Sequence, residues 1–166
     1  MERQEITHTF EPVYSSSSKI LILGTMPSPK SRENGFYYGH PQNRFWRVLA
    51  NLFSETVPQT NEEKRSLVLR HHIALWDVLK SCTIEGADDS SIRSPEPNDI
   101  AGLLKKTDIR YIFTTGTKAY SLYNRLCRSK TDIDAISLPS TSPANRRWYS
   151  DQDISEEYRI LLAYVQ

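Results

Sequence analysis

A chain of 166 residues can bury a hydrophobic core without disulfide or metal staples. With 38% apolar and 25% charged residues it is not a disordered chain, and a net charge of +1 excludes a protein that coats nucleic acid by charge alone. Any DNA contact must then rest on where charge is placed. Cys82 and Cys127 have neither metal-ligand spacing nor a disulfide framework, and read as bystander thiols in a reduced compartment. No signal peptide and no apolar run of membrane-span length is evident, so the expectation is a cytoplasmic protein, nucleoid-associated in a bacterium or archaeon, with no membrane partner.

In chain order, a polar turn at Ser15 to Ser18 precedes the unbroken apolar run Lys19-Ile-Leu-Ile-Leu23, which ends at Gly24 and predicts a strand buried on both faces. Helices are predicted over 44–53 and 61–71, then a short strand over 73–78. A helix over 99–105 is capped by Asn98 or Asp99, and a strand over 110–115 ends at Gly116. Apolar residues at 119, 122, 123 and 126 predict a helix over 118–128. A strand over 133–138 ends at Pro139, and Ser155 with Glu156 and Glu157 opens a last helix over 155–164. The alternation predicts a single domain, residues 1–166, with a three-layer α/β/α architecture and a central, mostly parallel four-stranded sheet. Ligands of such sheets bind beyond the carboxyl ends of the strands. Segments 24–38, Gly116 and 139–147 should meet there.

The first of these loops reads GTMPSPKS. It matches a phosphate-binding loop at Gly24, Lys30 and Ser31, but Pro29 stands where that motif needs a glycine with a free N–H. A second reading uses more of the chain. The string Gly35-Phe-Tyr-Tyr-Gly-His-Pro-Gln-Asn-Arg-Phe-Trp46 follows GTMPS, and Leu138-Pro-Ser-Thr-Ser-Pro-Ala-Asn-Arg146 follows the last strand. The pair resembles the motifs of the uracil-DNA glycosylase superfamily. It is similar to the mismatch-specific thymine/uracil glycosylases and most similar to the hypoxanthine-DNA (deoxyinosine) glycosylase branch.

The resemblance implies a uracil-DNA glycosylase-like fold and a monofunctional glycosylase that acts on DNA containing a deaminated base. It implies a monomer with no cofactor and no metal. Such an enzyme everts the target base into a pocket. By the resemblance Tyr38 stacks on that base, worth roughly 1–3 kcal/mol. Many members hold the attacking water with Asn or Asp at the third position of the first loop; here that position is Met26, which cannot do so. The resemblance transfers the catalytic task to Asn43, which could orient water or read the base. Its competing role is to cap the helix from Arg44. Gly24, Thr25 and His40 complete the expected base-binding set. Pro27, Ser28, Ser140, Ser142, Pro143, Asn145 and Arg146 are expected to contact DNA, with Pro143 and Ala144 as a wedge and Lys30, Arg32 and Arg147 adding positive charge.

Hypoxanthine and uracil both present an oxygen acceptor beside an N–H donor, where adenine and cytosine present an amine. An amide therefore rejects the undamaged parents of both lesions. Uracil or a mismatched pyrimidine is the alternative substrate. A non-catalytic lesion binder is the alternative of another class, kept open by Met26. Phe45 and Trp46 are expected in the core, His71 and His72 in packing or surface roles, and Asp77, Asp88 and Asp89 in loops and on the surface.

Overall fold

The computed structural model describes residues 3–8, 10–86 and 88–166. Its elements are β1 (Arg3–Thr7), β2 (Ile20–Gly24), α1 (Pro29–Asn34), α2 (Phe45–Leu52), α3 (Asn61–Arg70), β3 (Ile73–Asp77), β4 (Leu79–Glu85), β5 (Asp88–Pro97), α4 (Ile100–Leu104), β6 (Tyr111–Thr115), α5 (Thr117–Leu126), α6 (Arg128–Thr131), β7 (Ala135–Leu138), a 3-10 turn (Pro143–Asn145), α7 (Asp151–Tyr158) and α8 (Leu161–Tyr164).

β2 lies inside a four-stranded sheet of order β3-β2-β6-β7, in which every pairing is parallel. Its side chains alternate between two cores, as the period of a strand requires. Ile20 and Ile22 pack with Phe45 and Leu49 of α2, Leu67 of α3, and Ile154, Tyr158 and Leu161 of α7 and α8. Leu21 and Leu23 pack on the opposite face with Ile100 of α4 and with Leu122 and Tyr123 of α5. The layers are therefore α/β/α, as the alternation of elements predicts. No helix among the described residues is long and apolar enough to cross a membrane.

Three features depart from expectation. β1, β4 and β5 form a separate antiparallel sheet of order β1-β4-β5, which packs Cys82, Ile84 and Ile92 against the second core. It was not foreseen because β5 reads Asp-Asp-Ser-Ser-Ile-Arg-Ser-Pro-Glu-Pro, poor in strand formers, and pairs through register shifts. The last helical stretch starts earlier than Ser155 and is split in two. Ser150 accepts from the Asp153 N–H and Asp153 accepts from the Ser150 N–H, so a capping box fixes the start of α7. Part of the first loop is helical. Ser28 caps α1 and Pro29 occupies its first position, where a missing N–H costs nothing. Of the two candidate caps for α4, Asp99 accepts from Gly102 N, while the Asn98 amide donates to the carbonyls of Asp77 and Leu79.

Candidate active site

Beyond the carboxyl ends of the parallel strands lies a cavity of about 480 Å³. That size falls in the usual range for small-molecule sites, roughly 300–1,000 Å³. Its walls come from the first loop, from Tyr38, His40 and Asn43, from Asp77 and Thr115 at the ends of β3 and β6, and from 140–144. Gly116 itself packs against Ser140, which would stand 3.3 Å from a Cβ there.

The first loop is braced from within. The Ser31 hydroxyl accepts from Gly39 N (2.9 Å) and from the Ser28 hydroxyl (3.1 Å). Gly35, at φ +74°, ends α1 in the left-handed region that glycine adopts freely. This folds 36–39 back over α1 and delivers Tyr38 to the cavity. Tyr38 is itself left-handed, at φ +53°, a conformation that costs a bulky side chain about 1–2 kcal/mol. Two contacts hold it there: its ring stacks on Phe45 (centroids 3.9 Å apart, planes 15° apart) and its hydroxyl meets the Thr115 hydroxyl at 3.3 Å. Burial, then the nearby Asp77 carboxylate, pushes the Tyr38 phenol above its ordinary range, although the Thr115 hydrogen bond pulls the other way. It stays a neutral hydroxyl at working pH. Phe36 and Tyr37 pack in the core region: Phe36 stacks on Trp46, and the Tyr37 hydroxyl donates to the Glu11 carbonyl.

Asn43 is engaged at one end of its amide and open at the other. Its Oδ1 accepts from Phe45 N at 2.9 Å, opening α2. A backbone N–H can only donate, so the atom facing it is the oxygen. The remaining group, the Nδ2 amide, has no partner among the described residues, and Asn43 lines the cavity. His40 is fixed in the same manner. Its Nδ1 accepts from Gln42 N (3.0 Å), so in the neutral ring the proton sits on Nε2. The cavity is thus furnished with two N–H donors from one short stretch. Met26 adds a half-buried apolar wall.

The turn after β7 is pre-formed. The Ser140 hydroxyl accepts from Ser142 N (3.1 Å) and the Ser142 hydroxyl from Ala144 N (3.3 Å). Both hydroxyl protons stay available to donate. Two residues expected to contact DNA do not line the cavity. Asn145 braces the turn through its amide on the Ser140 carbonyl (2.9 Å), and Arg146 is half exposed, 3.4 Å from Asp151. The other expected residues (Gly24, Thr25, Met26, Pro27, Ser28, Tyr38, His40, Asn43, Ser140, Ser142 and Pro143) all lie on its walls. Among the supplementary cations, Lys30 pairs with Glu33 (3.2 Å) and Arg32 donates to the Pro27 carbonyl, so less free positive charge faces the mouth than the sequence suggested.

Three residues escaped the sequence reading. Asp77 is no surface residue: it is 4% exposed, ends β3, and lines the cavity beside Gly24. Its place directly after an apolar run was the available signal. Asp89 likewise reaches the cavity mouth from β5, whereas Asp88 is spent on Ser90. Arg44 is 1% exposed and ties the two motifs together. Its N–H donates to the Thr141 carbonyl, and its guanidinium donates to the Tyr149 carbonyl (2.8 Å) and to Asp151 (3.1 Å). An arginine between Asn43 and two core aromatics was the signal there. Beyond the 3-10 turn, Trp148 is 71% exposed with the Arg147 guanidinium over its ring. His71 stacks on Phe53, and no group of three metal-ligating side chains occurs among the described residues.

The family model described as Uracil DNA glycosylase superfamily matches residues 11–163. A curated protein of Methanosarcina acetivorans, named hypoxanthine DNA glycosylase, is 37% identical over 150 residues, 89% of this chain and 94% of its own. One of the same name from Methanosarcina barkeri is 36% identical over 142 residues, covering 83% and 87%. A solution NMR structure of a candidate uracil DNA glycosylase from M. acetivorans superposes with a TM-score of 0.79 at 34% identity, over 96% of this chain and 99% of that one. The chain belongs to the uracil DNA glycosylase superfamily.

Proposed function

We propose that the protein is a monofunctional DNA glycosylase that removes hypoxanthine from deoxyinosine and leaves an abasic site. The observation that carries this reading is the joint presence, on one cavity, of an aromatic ring (Tyr38), two fixed N–H donors (His40 Nε2 and Asn43 Nδ2) and the hydroxyl turn of Ser140 and Ser142. Its relatives' names point the same way.

The everted base stacks on Tyr38, and Phe45 holds that ring from behind. Two donors suit a base edge rich in acceptors, as O6 and N7 of hypoxanthine are. With its oxygen engaged on Phe45 N, Asn43 serves as a donor to the departing base, not as a base toward water. As the C1′–N bond breaks, its electron pair passes to the base, and donors placed there stabilise the developing charge. Water adds to the oxocarbenium carbon, loses a proton to solvent, and the departing base gains one. Ser140 and Ser142 grip the flanking phosphates, Pro143 and Ala144 on the cavity rim wedge into the vacated stack, and the exposed Trp148 ring adds an apolar face toward the duplex. The enzyme works as a monomer, without a cofactor, in the compartment that holds DNA.

The test is a set of duplexes carrying one inosine, uracil, xanthine or G·T pair, incubated with the protein and then with alkali. Strand scission at inosine, abolished by Asn43→Ala in a folded protein, is expected. Faster scission at uracil or G·T moves the substrate to a pyrimidine. A band shift without scission at any lesion makes the protein a binder.

A further inference from the structure

Just past β1, His8 reaches Asp77 on the wall of the same cavity. His8 and Asp77 are 69 residues apart, their side chains are 1% and 6% exposed, and His8 Nε2 lies 2.7 Å from Asp77 Oδ2. His8 Nδ1 already accepts from Phe10 N at 3.1 Å. Since that N–H can only donate, the ring cannot turn over, and the proton that His8 offers Asp77 is the Nε2 one. The ring is further confined by Phe10, edge-on at 5.5 Å, and by Tyr37 at 5.9 Å. Asp77 Oδ2 is thus an acceptor by necessity. Its Oδ1 has no partner among the described residues, and it sits over Gly24, where a Cβ would meet it at 2.6 Å. Asp77 lines the cavity.

We infer that His8 is a positioning residue: it holds Asp77 so that the free carboxylate oxygen accepts a ring N–H from the Watson–Crick edge of the everted base. This rests on the reading of the cavity as a base pocket. A carboxylate offers no donor, so it favours hypoxanthine, which carries hydrogen on N1, over adenine, whose N1 is a bare lone pair. The histidine's fixed direction makes the identity of residue 77 decisive. An asparagine there would have to turn its carbonyl oxygen to His8 and its amide to the cavity, setting donor against donor.

Asp77→Asn, which preserves shape, tests the acceptor. Single-turnover excision of inosine is expected to fall about 10- to 100-fold, the effect of one mispaired buried donor, and the preference for inosine over nebularine, which has no hydrogen on that nitrogen, to narrow. His8→Gln tests the positioning. Glutamine reaches as far but its amide can turn over, so His8→Gln alone should lose less than tenfold. Combined with Asp77→Asn it should restore inosine excision toward the His8→Gln level. A merely structural staple would show additive losses in thermal stability and no such rescue. Unchanged inosine excision by Asp77→Asn, or a double variant no faster than Asp77→Asn, overturns the inference. Wild-type protein that excises no inosine overturns the base-pocket reading instead.

Discussion

Gly24→Ala isolates what the room at the end of β2 is for. Gly24 does not need glycine for its backbone, because its φ lies outside the left-handed region. It pairs in register with Asp77, and an added Cβ would stand 2.6 Å from Asp77 Oδ1, 3.4 Å from the Tyr38 hydroxyl and 3.6 Å from the Thr115 hydroxyl. The first contact is about 0.8 Å short of ordinary van der Waals distance. The carboxylate must swing away, at the expense of the His8 hydrogen bond, or the strand ends must part. Overpacking of this kind costs about 1–3 kcal/mol. For a chain of this length that is a fall in Tm of roughly 2–12 °C. The excision rate should fall further than stability does, because a displacement near 1 Å in a positioning group is worth about a hundredfold. Thermal unfolding and single-turnover cleavage of an inosine duplex read the two effects separately. A Tm within a degree of wild type together with undiminished cleavage would show that the space above Gly24 is not used, and the reasoning about Asp77 would fall with it.

Trp148→Ala should weaken binding to lesion duplex with little change in Tm, since the ring is exposed; an equal loss on single-stranded inosine substrate would argue against insertion into a stack. Arg44→Met removes the ties to the Tyr149 carbonyl and Asp151 and should raise KM for DNA more than it lowers kcat, by loosening 139–149; an unchanged KM counts against the tie. Hydrogen bonds from Arg70 and then His71 hold the Glu55 carboxyl below its ordinary range. Its folded pKa lies below its unfolded one, so its contribution is present above about pH 4.5 and is lost as pH falls through the folded value. The Tm difference between wild type and Glu55→Gln, below about 1 kcal/mol in worth, should therefore shrink from pH 7 to pH 3.5; a constant difference refutes the pairing. Burial pushes the Cys127 thiol up to about 11 and also raises that of Cys82, so a thiol reagent at pH 8 should label neither until the protein unfolds.

The parallel sheet was legible because its central strand is apolar without interruption. Lys19 to Leu23 admits no amphipathic element, and burial on both faces follows. The meeting of segments 24–38 and 139–147 was legible for a related reason, because each follows an apolar run, whereas the roles expected of Tyr38, Asn43 and Ser142 came from the resemblance of their motifs. Asp77 sits at the end of such a run too, yet a lone acid after a short run has no partner visible in sequence, and its partner is 69 residues away, just past the end of a strand not foreseen. That strand was hidden because Arg3–Thr7 has a mostly exposed pattern and gains its pairing only from β4. The role of Asn43 was ambiguous in sequence because one amide has two ends, and only coordinates tell which end meets Phe45.

The chamber is contributed by positions as distant as 24, 77, 115 and 140, each at or just past the end of a different strand of the parallel sheet. The stretch 24–43 alone carries the aromatic ring and both N–H donors, but it lacks Asp77, Thr115 and the hydroxyl turn, so transplanting it to another scaffold would transplant an open half of the chamber. Ligand contact should accordingly be the last property to appear as the chain refolds and the first to vanish as heat separates the strand tips.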